Sequence, residues 1–167
     1  MTGKVMGSFT KRYSEILLYL LLITNIVLHK AFALPDFSTF VLLSPLLLME
    51  DSYRWKNPWN IFAITYPACF SLGIYPYDLL SLTLSAFAEE IFFRAYMMRK
   101  YGNFTVSLMF ALPHFLIYQN LQSLLTFFPS LFFGFLYKKT NSLIFVSLIH
   151  LYSNLVYRNF TFLHLWI

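Results

Sequence analysis

Long apolar runs alternate with short polar breaks along the whole chain. Most breaks contain a proline, a glycine or an amide side chain, which are residues typical of turns. The breaks occur at Pro35-Asp36, the polar run 50–58, Pro76, Gly102-Asn103, Gln119-Asn120 and Thr140-Asn141. The apolar runs between them predict seven helices, near residues 14–33, 37–49, 59–75, 79–101, 103–119, 121–138 and 141–158.

The apolarity of these runs indicates a membrane protein. Hydrophobic residues make up 59% of the 167 residues and charged residues only 11%, whereas a soluble domain carries about 25% charge. A hydrocarbon core of about 30 Å needs roughly 17 to 25 apolar residues per helix. We therefore expect an all-α, polytopic transmembrane bundle of about six to seven helices. Its parts are N-terminal helices (1–78), a helical core (79–158) and a short tail (159–167).

The basic residues predict the orientation of this bundle. If the N-terminus faces the cytoplasm, that side holds most of the lysines and arginines of the loops, and only Lys30 and Arg158 lie on the other side. This bias is the positive-inside pattern of a multi-pass cell-membrane protein. It also accounts for the net charge of +5 without nucleic acid, because the basic residues are spread over separate short loops.

The first apolar run also resembles a signal peptide. Lys4, Lys11 and Arg12 precede it, and the small residues around Ala33 follow it. The long basic lead and Lys30 beside the cleavage position favour a retained membrane anchor.

The stretch FAEEIFFRAY places Glu89, Glu90 and Arg94 inside an apolar run. Each charge at mid-helix opposes membrane insertion by about 2.5 to 3.5 kcal/mol, so these side chains must face protein or water. Glu90 and Arg94 are four residues apart, in the favourable order for an ion pair. Glu89 is then expected to be unpaired and suited to act as a general base. The alternative is a structural Glu-Arg brace with Glu89 at a wet helix end.

Two later runs carry polar side chains at a matching depth. Counted at 1.5 Å per residue from the predicted cytoplasmic end of each helix, Glu89, His114 and His150 each lie roughly 15 Å deep. Asn154 follows His150 by one turn on the same face. Pro113 removes a backbone hydrogen bond beside His114, which frees a carbonyl group and lets the helix bend. The depths predict that three helices bring these side chains to one level.

The ordered polar pattern resembles the CPBP family of intramembrane endopeptidases, which comprises CAAX-processing and bacteriocin-processing proteins and is also called the Abi family. The resemblance spans residues 79–158, and its motifs are Glu89-Glu90-x-x-x-Arg94, Phe110-x-x-x-His114 and His150-x-x-x-Asn154.

The resemblance implies hydrolysis of a peptide bond without a cofactor. Glu89 would take a proton from a water molecule held between it and His114, and the hydroxide would attack a peptide carbonyl. His150 and Asn154 would hold the resulting oxyanion. Glu90 and Arg94 would not touch the reacting groups but would hold the catalytic side chains in position. The substrate would be a membrane protein or a lipid-anchored peptide at the bilayer.

Two alternatives remain open from the residues themselves. Glu89, His114 and His150 have the side chains of a three-ligand zinc site with water in the fourth position. Buried glutamate and histidine also occur in non-catalytic membrane proteins, such as immunity factors, partner-binding subunits and proton-coupled carriers. The pair of donors His150 and Asn154 favours a hydrolase, because a carrier has no need of them.

Overall fold

A computed structural model describes residues 2–48 and 74–164 of the chain, and every regular element in these ranges is helical. The α-helices are α1 (Thr2–Phe32), α2 (Ser38–Leu43), α3 (Pro45–Leu48), α4 (Pro76–Glu90), α5 (Asn103–Tyr118), α6 (Phe127–Thr140) and α7 (Leu143–His164). A π-helical segment (Ile91–Tyr96) and a short 3₁₀ segment (Met97–Arg99) continue α4, and a second 3₁₀ segment (Leu121–Thr126) precedes α6. The all-helical fold class is therefore confirmed for the described ranges.

The helix ends lie where the turn residues predict them. Pro76 is the first residue of α4, a position where its missing N–H costs nothing. Gly102 precedes α5 in extended conformation. Gln119 and Asn141 end α5 and α6 with left-handed backbones, at φ 53° in both cases. Asparagine, as at position 141, tolerates this conformation well. The backbone N–H of each of the two residues donates to a carbonyl in the last turn of its helix.

The predicted and observed bounds differ for several helices. The first helix begins at Thr2, well before residue 14, and the last continues to His164, past the predicted end near 158. The run 37–49 forms two short helices separated at Ser44, and the run 121–138 begins with a 3₁₀ segment. The run 79–101 changes from α- to π-helical geometry after Glu90. The predicted helix 59–75 falls, apart from its last two residues, outside the described residues.

The proline in α5 creates a contact with the first helix. Pro113 has no N–H to donate to the carbonyl of Met109, four residues earlier. The hydroxyl of Tyr19 in α1 donates to that carbonyl at 2.9 Å. The predicted free carbonyl therefore exists, and a side chain from another helix pairs with it. Tyr19 is buried in the largest apolar cluster, together with Phe92, Phe93 and other residues of α1, α2, α5 and the π segment.

A close approach between α5 and α6 depends on Gly134. The side chain of Asn103 lies directly against its Cα, so a Cβ at Gly134 would overlap the Asn103 amide group. Asn103 also donates from Nδ2 to the carbonyl of Leu131 at 2.9 Å. At the start of α5, the Asn103 side chain therefore packs against Gly134 of α6 and hydrogen-bonds to the backbone of the same helix.

Within the described ranges, only Tyr13–Phe32 of α1 is both long enough and apolar enough to cross a membrane by itself. Three shorter apolar helical stretches accompany it, at Ser38–Leu48, Asn103–Tyr118 and Leu143–Arg158. Large apolar side chains are exposed on several helices, including Leu20 and Leu21 on α1, Leu108 on α5 and Phe132 on α6.

Candidate active site

The paired glutamates lie where α4 becomes π-helical. Glu90 is the last residue of α4, and Arg94 lies inside the π segment, whose six side chains are all buried. Arg94 Nε donates to Glu90 Oε2 at 3.0 Å, and both side chains are inaccessible to solvent. The predicted ion pair is confirmed. Single π-helical turns within helices occur frequently at functional sites.

His150 of α7 joins this ion pair. Its Nδ1 lies 2.9 Å from Glu90 Oε1. Because an ionised carboxylate only accepts hydrogen bonds, Nδ1 carries a hydrogen and donates it. The opposite ring nitrogen, Nε2, lies 3.7 Å from Glu89 Oε2. The imidazole is thus placed between the two carboxylates, bonded to one and facing the other.

Two phenylalanines pack against the ring of His150. Phe133 of α6 stacks on it with ring centroids 4.9 Å apart, and Phe110 of α5 meets it edge-on at 5.9 Å. The imidazole is almost completely buried. Its orientation is therefore set by three helices and by the bond to Glu90.

Glu89 has more neighbours than the sequence predicts. Its Oε1 accepts a hydrogen bond from Ser85 Oγ at 2.8 Å. Its Oε2 is buried and makes no hydrogen bond with the described part of the chain. Arg94 pairs with Glu90 and not with Glu89, as expected, but the hydrogen bond from Ser85 to Glu89 was not predicted. Ser85 lies one turn earlier on the same helix face, a spacing from which the contact could have been predicted.

His114 of α5 is turned by a hydrogen bond to its own helix. Its Nδ1 lies 3.0 Å from the carbonyl oxygen of Phe110. Since a carbonyl only accepts, Nδ1 carries the hydrogen, and the lone pair of a neutral ring lies on Nε2. The imidazole also stacks on the ring of Phe110 at 4.5 Å. His114 and His150 therefore contact the same phenylalanine, although no hydrogen bond or ring contact joins the two histidines.

The remaining predicted residue, Asn154, lies one turn after His150 on α7 and is half-buried. One further residue was missed by sequence reasoning. Ser130 of α6 accepts a hydrogen bond from Arg94 Nη2 at 2.7 Å and is fully buried. It lies in the stretch FFPSLFF, which has no motif that would mark it.

The residues of the zinc alternative lie on three different helices, α4, α5 and α7. Within residues 2–48 and 74–164, no three histidine, cysteine, aspartate or glutamate side chains are grouped closely enough to hold a metal ion. Glu89 and His150 are neighbours, but His114 does not complete a ligand set with them.

The polar cluster lies in the part of the chain that matches a known protein family. The family model described as type II CAAX prenyl endopeptidase Rce1-like matches residues 71–156, just over half of the chain. The chain belongs to the Rce1-like family. This membership supports a CAAX-type intramembrane endopeptidase that acts on a membrane-associated protein. Among curated proteins and among solved structures, none is significantly similar to the chain.

Proposed function

We propose that this Rce1-like protein is a multi-pass intramembrane endopeptidase in which Glu89 activates the water that cleaves the substrate. The observation that carries the proposal is the placement of Glu89 Oε2, which is buried, makes no hydrogen bond with the described residues and faces His150. An acceptor without a donor in an apolar setting is unfavourable unless a water or a substrate group supplies that donor. Glutamate in this setting is suited to general base catalysis.

His114 is proposed to hold the same water molecule. Its Nδ1–H is occupied by the Phe110 carbonyl, so its Nε2 is available to accept a hydrogen from water. Glu89 then removes the other proton, and the hydroxide attacks the peptide carbonyl carbon. The C–N bond breaks as the protonated Glu89 returns the proton to the departing amine. Ser85 holds the other carboxylate oxygen and limits rotation of the base.

His150 and Asn154 are proposed to bind the oxyanion formed in this attack. They lie one helical turn apart, so both can donate to one point. His150 already donates from Nδ1 to Glu90, so donation from Nε2 requires a ring that carries both hydrogens. The charges favour that form, since Glu89 and Glu90 are two carboxylates beside the single guanidinium of Arg94. An imidazolium balances one of the two carboxylates. Once Glu89 has taken the proton from water, the Nε2–H that faces it is available to bind the oxyanion.

The exposed apolar surface supports several membrane-spanning helices. Long lipid-compatible side chains cover α1, α5 and α6, and exposed apolar area on this scale is a feature of membrane contact rather than of a soluble monomer. The basic loops predict a cytoplasmic N-terminus. A site built from α4, α5 and α7 would then be reached by a substrate held at the membrane, such as a prenylated CAAX protein or another membrane-anchored peptide.

Zinc-dependent hydrolysis is the alternative for the same reaction. Glu89, His114 and His150 would then act as metal ligands, and chelation would abolish cleavage. Metal analysis of the purified protein, with cleavage assayed before and after chelator treatment, separates the two mechanisms. The metal-free mechanism requires undiminished cleavage by protein that contains no stoichiometric metal.

Comparative proteomics of membranes tests the proposed function without knowledge of the substrate. Membranes containing the wild-type protein are compared with membranes containing Glu89→Ala. A precursor that accumulates only with the variant, and a shorter product that disappears, would support proteolysis. Identical membrane proteomes, with both proteins present at equal levels, would instead favour a non-catalytic immunity, partner-binding or transport role.

A further inference from the structure

We propose that Ser130 is a positioning residue that fixes the ring of His150 through Arg94 and Glu90. The inference rests on the proposed function, in which His150 binds the oxyanion, and extends it to a helix that carries none of the three motifs. Ser130 belongs to α6, and its hydroxyl joins that helix to the charged cluster by a hydrogen bond.

A continuous series of three hydrogen bonds connects Ser130 to the imidazole. Arg94 Nη2 donates to Ser130 Oγ at 2.7 Å, and Arg94 Nε donates to Glu90 Oε2 at 3.0 Å. His150 Nδ1 then donates to Glu90 Oε1 at 2.9 Å. None of the four side chains is more than 5% exposed. Water therefore has little access to replace any of these bonds.

Each bond in the series restricts the orientation of the next side chain. Arg94 uses Nε for one oxygen of Glu90, so the other oxygen is the one that His150 meets. The guanidinium is held in its plane by Ser130 on one side and lies 5.6 Å from the centre of the Phe110 ring. Its remaining nitrogen, Nη1, makes no hydrogen bond with the described residues. Without Ser130, two guanidinium nitrogens would lack acceptors, and rotation of Arg94 towards new ones would turn Glu90.

The same face of α6 holds the ring of His150 directly. Phe133 stacks on the imidazole and follows Ser130 by three residues, which is nearly one turn. α6 thus contacts His150 in two ways, by ring stacking and through the series that ends at Nδ1. Fixing Nδ1 directs Nε2 towards Glu89, where the proposed oxyanion site lies. We therefore expect Ser130 to affect the chemical step more than the affinity for substrate.

The first arm of the test observes the histidine ring without requiring activity. Full-length protein labelled with ¹⁵N-histidine is studied by NMR in detergent micelles, and the Nδ1–H resonance of His150 is assigned by its loss in His150→Gln. The chain has only four histidines, which keeps the spectrum simple. The matched control is Ser107→Ala, because Ser107 is also fully buried but its hydroxyl donates to the Asn103 carbonyl.

We expect the wild-type protein and Ser107→Ala to share a downfield Nδ1–H resonance that exchanges slowly with water. Ser130→Ala should broaden this resonance and move it upfield, and Ser130→Thr, which keeps the hydroxyl, should restore it. A resonance in Ser130→Ala identical to that of the wild type would overturn the proposal. So would a change of the same size in Ser107→Ala, because it would reflect general loosening of the bundle.

The second arm measures cleavage of a farnesylated CAAX peptide by the same proteins. Loss of a hydrogen bond to a charged group predicts a decrease in kcat of about ten-fold for Ser130→Ala, with KM changed by less than about two-fold. Ser107→Ala should match the wild type. A decrease in kcat as large in Ser107→Ala, or a change confined to KM, would contradict a positioning role. If the wild-type protein leaves the peptide intact, the CAAX assignment fails, whereas the NMR arm still decides the role of Ser130.

Discussion

His150 Nδ1 lies 2.9 Å from Glu90 Oε1, across a separation of 60 residues in the chain. Glu90 therefore pairs with Arg94 through one oxygen and with an imidazole from α7 through the other. This double contact divides the work between two adjacent glutamates. Glu90 is fully engaged and inaccessible, whereas Glu89 keeps one oxygen for a partner outside the described residues.

Breaking the buried ion pair of Glu90 and Arg94 should lower the free energy of unfolding far more than breaking the exposed pair of Asp78 and Arg158. Arg94→Leu leaves Glu90 without its guanidinium, and loss of one partner of a buried ion pair costs about 3 to 5 kcal/mol. The comparison is Arg158→Leu, because Arg158 pairs with Asp78 at 2.6 Å but is about one-third exposed. Such a pair is worth about 0 to 1 kcal/mol. Unfolding titrations in mixed micelles measure both free energies, and equal losses would contradict the description of the cluster.

The contact between Tyr19 and Met109 predicts a stabilising role for a single hydroxyl group. Tyr19→Phe removes the donor and leaves the carbonyl freed by Pro113 unpaired, at a cost of about 1 to 3 kcal/mol in the free energy of unfolding. Tyr77→Phe is the matched control, since the side chain of Tyr77 is mostly exposed. The same unfolding titration checks both variants. A free energy of unfolding for Tyr19→Phe equal to that of the wild type would mean that another donor replaces Tyr19 at the Met109 carbonyl.

A methyl group at Gly134 should separate α5 from α6. Gly134→Ala places a Cβ on the Asn103 amide, and relief of that overlap should cost about 1 to 3 kcal/mol. Gly102→Ala provides the comparison, because a Cβ there meets no atom within 4 Å. We expect Gly134→Ala, but not Gly102→Ala, to lower the midpoint of thermal unfolding. Equal midpoints for the two variants would show that Asn103 moves away freely.

Much of the helical pattern could be predicted because its signals are local. Pro76, Gly102 and Asn141 act on the backbone within one turn, and their residue types alone indicate where helices begin or end. The ion pair of Glu90 with Arg94 is local too, since four residues separate them on one helix. Pro113 predicted a freed carbonyl for the same reason.

The rest of the site depends on which helices meet, and that information is not local. The hydrogen bond from Tyr19 to the freed carbonyl joins α1 to α5, and Ser130 reaches Arg94 from α6. Neither residue has a spacing that distinguishes it from an ordinary helix residue. The π-helical turn after Glu90 was likewise unpredictable from apolar periodicity, because all six of its side chains are buried whichever face they occupy.

Asn154 should contribute to rate if it donates to the oxyanion. Asn154→Ala removes one of two proposed donors, and loss of a single oxyanion donor lowers kcat by about 10² to 10³. Ser153→Ala, at the preceding position of α7, has no proposed role and serves as the comparison. Steady-state cleavage of a membrane-anchored peptide gives both values. A decrease of less than about two-fold in kcat for Asn154→Ala would remove it from the oxyanion site.

Glu89→Gln removes the proposed base and leaves the shape of the side chain unchanged. Glutamine keeps the size of the side chain and an oxygen for Ser85, but it is not a base. Purified wild-type and variant proteins of equal thermal stability are incubated with a farnesylated CAAX peptide, and the products are quantified by mass spectrometry. We expect cleavage by the wild type and no product above background with Glu89→Gln. Turnover by the variant at a rate near that of the wild type would contradict it.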